Sequence, residues 1–440
     1  MLRLCRIAVI IICNTFVVLF LSGCSSEVTV ESAVEDGTFP AVHIEVVLPI
    51  HREVWGNATV TISNAPDDFL FNRIPARIRG RGNSSWERFD KQPFRIRFFE
   101  PRTMLSADHA ALDWTFIANH SDKSLLRNYS AYYLASMLDG MYFAPYARFV
   151  DVYFNGEYQG VFMLSVQVQA SDGRAELTQN RNPALSEYLI EMNQRIAFDP
   201  RSMEGRTFVH ADSRNFDILY PRGSDLTVAH ADYVRNFLQT VADRIHEQDP
   251  ALFDYIHLPS FVDFYIVQEL YKNLDIGHAS VFMQIRGQGD ERRLEMGPVW
   301  DFDVSAGNTY FQGRNREDNP DREYYPYYYS PHGLWAAWTN HWFRSLMHNQ
   351  YFFDAVATRW NEIRDVEIWA TMNRIQYMAW RYHDAFERNF DRWQIMGEFV
   401  WPNPDRVVAI DTFSGQVDYL VEWLEIRIEG FGDFLGMGMH

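Results

Sequence analysis

From about Val42 to Phe99 apolar and polar residues alternate in short runs, "VHIEVVLP", "ATVTIS", "ARIRGRG" and "FRIRFF", separated by Pro, Asn and Gly. A period of two puts successive side chains on opposite faces, so these runs predict half-buried strands. A helix is predicted from about Ser121 or Asp122 through "KSLLRNYSAYYLASML". After it, "ARFVDVYFNGEYQGVFMLSVQV" reads as two strands joined at Asn155-Gly156, a dipeptide that tolerates the positive φ angles of a tight hairpin.

After about Glu191 the period lengthens. Val234, Phe237, Leu238, Val241, Ala242 and Ile245 recur at helical spacing, and "SFVDFYIVQELYKN" is a dense apolar helix. "HWFRSLMHNQYFFDAVATRWNEI" and "VDYLVEWLEIRIEGF" read as further helices. Between them lies one β insert, "SVFMQIRGQGDERRLEMGPVW", with a hairpin turn at "GQGDE". The expected fold class is therefore α+β, with a β-rich first part over about 41–190 and a mainly helical second part over about 191–440.

The first 23 residues break this pattern. Arg3 and Arg6 precede the apolar run "IAVIIICNTFVVLFLSG" and then Cys24, and "LSGC" resembles a bacterial lipobox. The expectation is a signal peptide over 1–23, a lipidated Cys24, a polar tether over 24–40, and a domain over 41–440 held to the membrane outside the cytoplasm, at the cell envelope. Cys5, Cys13 and Cys24 are the three cysteines of the 440-residue chain, so the domain beyond them has no disulfide and no thiol chemistry. A hydrophobic fraction of 47% suffices for one large core or two lobes. The formal net charge of −18 argues against non-specific binding to nucleic acid, which needs a basic footprint. The tyrosine-rich "DREYYPYYYSPHG" reads as a surface loop, either a packed flap or a stacking surface.

Candidate chemistry sits around the β insert. The order is helix, "NLDIGHAS", hairpin, "GPVWDFDVSAGN", which puts Asp275 at a helix end and Asp301 and Asp303 at a strand end. Any one of these is a common turn residue. Together they follow the order of the catalytic-loop and metal-binding aspartates of a protein kinase. One carboxylate orients or deprotonates an attacking hydroxyl; others hold a divalent metal, with Asn273 adding a neutral oxygen. Positive charge for phosphates is supplied by Arg77, Arg79, Arg81, Arg88, Lys91, Arg95 and Arg97. Arg79 and Arg81 share one strand face, and Asn83 and Ser84 of "GRGNSS" could lay backbone N–H groups against phosphate, although an ordinary hairpin turn also fits. His278 reads as a hydrogen-bonded turn residue and stays outside the catalytic set.

"RIRGRGNSSW…KQPFRIRF", "LLRN", "DVYFNGEYQGVFML", "YLIEMN", "NLDIGHAS" and "GPVWDFDVSAGN" resemble the CotH kinase family, named for spore coat protein H, over about Ile74 to Trp360. The resemblance implies a kinase-like bilobal fold that phosphorylates protein Ser/Thr hydroxyls with ATP and Mg2+ or Mn2+. It implies that Lys91 contacts phosphate, that Asp275 is the catalytic aspartate, and that Asp301 binds metal with Asp303 beside it. Two features depart from the family. Val166 stands where members have a Glu, and the helix after Ser121 has no Glu to pair with Lys91, leaving Glu191 as a candidate partner. The competing reading is a non-catalytic adhesin or scaffold that keeps the fold. Metal-dependent phosphate-ester hydrolysis is disfavoured, because the chain has no His-x-Asp or His-Glu-x-x-His spacing.

Overall fold

The computed structural model describes residues 39–171, 174–197, 205–310 and 330–437. Cys24, the signal segment and most of the tyrosine-rich stretch lie outside the described residues.

The alternating runs form strands β1 (Ala41–Val46), β2 (Gly56–Ser63), β3 (Phe71–Gly80) and β4 (Phe94–Arg102), followed by β5 (Ala111–Ile117), β6 (Ala147–Phe154) and β7 (Glu157–Val166). They close into a barrel in the order β1-β2-β3-β4-β5-β7-β6, with β6 running parallel to β1. Its interior is filled by Val42, Val60, Ile78, Phe94, Ile96, Trp114, Phe116 and Leu164 among others, with Phe94 and Phe116 stacked at 4.5 Å. Inward Phe94, Ile96 and Phe98 match the reading of "FRIRFF". Strand β5, "ALDWTFI", was not anticipated, and it is the strand that links β4 to β7.

"GRGNSS" is not a hairpin turn but the entry to a short helix, α1 (Ser84–Arg88). Gly80 is required there because the Trp86 ring lies 2.2 Å from where a Cβ would stand. The next helix, α2 (Arg127–Met137), begins later than Ser121. Leu125 sits at φ 61, and the Asp122 carboxylate accepts from the Ser124 and Arg127 amides at 3.0 and 2.9 Å, so residues 122–126 form a turn capped by Asp122.

The second part contains a five-stranded sheet as well as helices. Strands β8 (Tyr188–Met192), β9 (Phe208–Ala211), β10 (Arg214–Tyr220), β11 (Val281–Arg286) and β12 (Arg293–Met296) pair in the order β12-β11-β8-β10-β9. The predicted insert is thus the β11–β12 edge of a sheet whose other three strands were not expected. Around it lie α3 (Val228–Glu247), the buried α4 (Leu258–Tyr271), α5 (Ala336–Thr339), α6 (His341–Met347), α7 (Gln350–Ile363), α8 (Trp369–Arg381), α9 (His383–Arg392), α10 (Asp405–Val408) and α11 (Phe413–Met437). Among the described residues no helix is long and apolar enough to cross a membrane. Glu269 of α4 and Arg427 of α11 form a fully buried ion pair. Glu269 also accepts from the Trp335 and Ala336 amides at 2.5 and 2.8 Å, which fixes the end of α4 from which Asp275 follows.

Lys91, expected at a phosphate, lies inside the protein. It is 1% exposed, and its Nζ donates to Ala118 O at 2.8 Å, Val161 O at 2.5 Å and Asn389 Oδ1 at 2.8 Å. Those three acceptors use all three ammonium donors, so Lys91 locks α9 onto the barrel. Gly160 makes this possible: at φ +101, its Cβ would stand 2.7 Å from Asn389 Oδ1 and 3.2 Å from Lys91 Cε. Burial drives the Lys91 ammonium well below its ordinary range. Lys91→Ala leaves buried carbonyls without a donor and is expected to destabilise the fold by about 3 kcal/mol. An unchanged denaturation midpoint in urea would contradict the lock.

Candidate active site

The C-terminal end of α4 turns at Lys272, held at φ 45, into a 3-10 turn over Leu274–Gly277 that carries Asp275. Asn273 opens this turn, its side chain accepting from the Asp275 amide at 3.1 Å and donating to Trp300 O at 3.4 Å. Asn273 is therefore the brace between the Asp275 turn and the segment of Asp301. It is buried, and both ends of its amide have partners inside the protein.

The Asp301–Asp303 segment is held by α2. Asn128 Oδ1 accepts from the Phe302 amide at 2.6 Å, Tyr132 stacks on Trp300 at 5.5 Å, and the Asp301 amide reaches Tyr132 OH at 3.4 Å. Arg127, paired with Asp122 at 2.5 Å in full burial, donates to Ser305 O at 3.0 Å and Ala306 O at 3.1 Å. "LLRN" thus grips the loop after the aspartates rather than supplying a Glu to Lys91. Asp301 itself sits at φ 69 in the left-handed region, where Asp is tolerated at a cost of about 1 kcal/mol. This turn separates its side chain from buried Phe302 and leaves the carboxylate 39% exposed, against 18% for Asp275.

One cation joins these segments. Arg195, on the turn Gln194–Ala197 after β8, lies 3.3 Å from Asp275 Oδ2 and 3.9 Å from Asp301 Oδ2. Its other Nη is 3.8 Å from Glu191, whose carboxylate also faces Arg206 at 3.8 Å and accepts from the Ser280 amide at 3.2 Å. Glu191 belongs to this group and is not the partner of Lys91. Ser280 Oγ donates to Asp301 Oδ2 at 3.2 Å. Arg81 completes the ring: its guanidinium lies over Trp300 at 5.6 Å, and although burial pulls it below its ordinary value, Asp301 and Asp303 oppose that.

Crowding sets the protonation of the acids. Burial lifts Asp275 to about 7 against the pull of Arg195, with Asp301 and Glu191 adding to the rise. Burial and then the charges of Asp301, Asp122 and Asp275 hold Asp303 well above the usual carboxylate range. Burial opposes a charged Arg195, yet Asp275, Glu191 and Asp301 together raise it.

Asp275, Asp301, Asp303 and Arg81 therefore share one site with Asn273 as its brace, and Arg79, Asn83, Ser84 and Lys91 lie elsewhere. Arg79, Arg95 and Arg97 surround the Trp55 ring at 4.9, 5.0 and 5.1 Å, with Asp113 bridging Arg97 at 2.8 Å and Arg95 at 3.5 Å. Asn83 Oδ1 accepts from Arg52 at 2.6 Å, and Ser84 is exposed at the start of α1. Val166 is buried in the barrel core opposite Trp114. His278 O accepts from the Gln194 amide at 2.8 Å, and its ring, through burial and then Arg195 and Arg214, is held below its ordinary value. Arg195 was missed because a lone arginine four residues after Glu191 carries no sequence signature.

No curated protein matches the chain. The family described as CotH kinase protein matches residues 78–429, which includes every residue of the site just described. The chain belongs to the CotH kinase family.

Proposed function

We propose that this protein is a surface-tethered atypical protein kinase that transfers the γ-phosphate of ATP to Ser/Thr hydroxyls of a protein substrate, with the barrel part (about 41–190) as N-lobe and the remainder as C-lobe of a kinase-like bilobal fold. The observation that carries this is the meeting of Asp275, Asp301 and Asp303 with Arg195 and Arg81, drawn from four separate segments.

The donor set fits a hard divalent cation, Mg2+ or Mn2+, which prefers carboxylate oxygens. Asp301 and Asp303 would hold it, and the burial and neighbouring carboxylates that raise the proton affinity of Asp303 and Asp275 suit a site that takes up positive charge. ATP with its metal, when bound, supplies the electrophilic phosphorus and neutralises charge on the phosphates. Asp275, with a proton affinity near neutrality, is suited to accept the proton of the acceptor hydroxyl. Arg195 orients Asp275, and Arg81 and Arg195 supply positive charge for an anionic ligand.

A scaffold without catalysis remains the second reading, and one observation favours it: the family's phosphate lysine, Lys91, has no donor left for a nucleotide. Transfer of label from γ-labelled ATP, with Mg2+ and then Mn2+, separates the two. The kinase reading expects metal-dependent transfer that falls at least about a hundredfold in Asp275→Asn and Asp301→Asn. Asp275→Asn should still gain thermal stability from metal plus ATP, and Asp301→Asn should lose that gain. Identical melting responses of wild type and Asp301→Asn, with no transfer, would favour the scaffold. The tether is checked separately: the native protein should begin at a lipid-modified Cys24, and a mass showing Arg3 retained would refute it.

A further inference from the structure

A second group of ligating side chains lies away from the aspartate site. Asp212 is in the tight turn between β9 and β10, at φ 46, with its amide fixed by Gln239 Oε1 at 2.8 Å. His246 comes from the last turn of α3, and His341 is the first residue of α6. His246 Nε2 lies 3.0 Å from Asp212 Oδ2 and 3.2 Å from Oδ1, and His341 Nε2 contacts the same Oδ2. The three ligand atoms all fall within 4.8 Å of one another, and the two imidazoles face each other at 5.6 Å and 19°.

Hydrogen bonding alone distributes these donors poorly. Oδ2 receives both imidazoles and Trp342 Nε1 at 2.7 Å, whereas Oδ1 has His246. A cation among the three atoms relieves that crowding, since N and O ligands at about 2.0–2.1 Å in a tetrahedron stand about 3.3 Å apart. We propose that Asp212, His246 and His341 bind a divalent transition-metal ion of the Zn2+ class, with water at the fourth position. Two imidazoles and one carboxylate suit such an ion, whereas Mg2+ and Ca2+ prefer oxygen donors throughout.

The surroundings supply orienting partners. Ser345 Oγ lies 3.1 Å from His246 Nδ1, so an Nδ1–H donated there leaves the Nε2 lone pair for metal, and Trp342 orients the carboxylate. Arg214 Nε, 3.4 Å from His341 Nδ1, is the contact that must give way for that ring to ligate through Nε2. The ion would join a sheet turn, α3 and α6. Asn340, just before His341, donates to Ile276 O at 3.0 Å, so the clamp also steadies the turn of Asp275.

The purified full chain, stripped with chelator, is titrated with Co2+ and then Zn2+. One equivalent of Co2+ should give the visible bands of a four-coordinate site, displaced by Zn2+, and Zn2+ should raise the melting temperature by several degrees. His246→Ala, at an exposed position, and His341→Ala should each weaken binding at least about tenfold, while Asp301→Asn leaves it unchanged. Absence of a Co2+ spectrum and of Zn2+ stabilisation in the wild type, or binding that survives both histidine substitutions, overturns the proposal and leaves a hydrogen-bonded clamp.

Discussion

Asp275, Asp301 and Asp303 repel one another, and two unit charges 4 Å apart cost about 4 kcal/mol at an effective dielectric near 20. The chain keeps them together because each belongs to a segment fixed by something else. Asp275 is held by the capped end of α4, Asp301 by a left-handed turn against α2, and Asp303 by an adjoining loop whose later carbonyls are gripped by Arg127. Arg195 and Arg81 offset part of the repulsion.

Two buried ion pairs make this placement rigid. Arg127–Asp122 ties the start of α2 to the loop after Asp303, and Glu269–Arg427 ties α4 to α11 and to the backbone at 335–336. Their remaining donors and acceptors are satisfied by backbone, the condition under which a buried pair fixes one arrangement of elements rather than merely costing desolvation. Lys91 does the same between barrel and α9. Arg127, Arg427 and Lys91 thus serve architecture, and the partly exposed Arg195 and Arg81 lie at the site.

Much of this was legible in the chain, for reasons that differ by element. The barrel strands with one wet face, such as "FRIRFF", alternate and were read correctly. Strand β8 (Tyr188–Met192) and, apart from exposed Leu112, strand β5 (Ala111–Ile117) are buried on both faces, so they carry little alternation to detect. The order of the aspartates was readable because it is local to three adjacent segments. The burial of Lys91 was not legible, because a lysine in a basic run reads as surface, whereas its partner Asn389 lies 298 residues away. Arg195 was invisible because only the fold decides that its turn faces Asp275.

On the proposed function, the aspartate group holds charge against its own repulsion for a cation. A group of that kind weakens the empty protein, in contrast to carboxylates that merely brace a turn. The most direct measurement is the thermal stability of wild type and Asp301→Asn in chelator, with no nucleotide. The account predicts that the metal-free variant melts at a higher temperature than the metal-free wild type, because one repelling charge is gone while the Ser280 hydroxyl can still donate to the amide oxygen. A variant that melts clearly lower would contradict it and make Asp301 a structural residue of the turn.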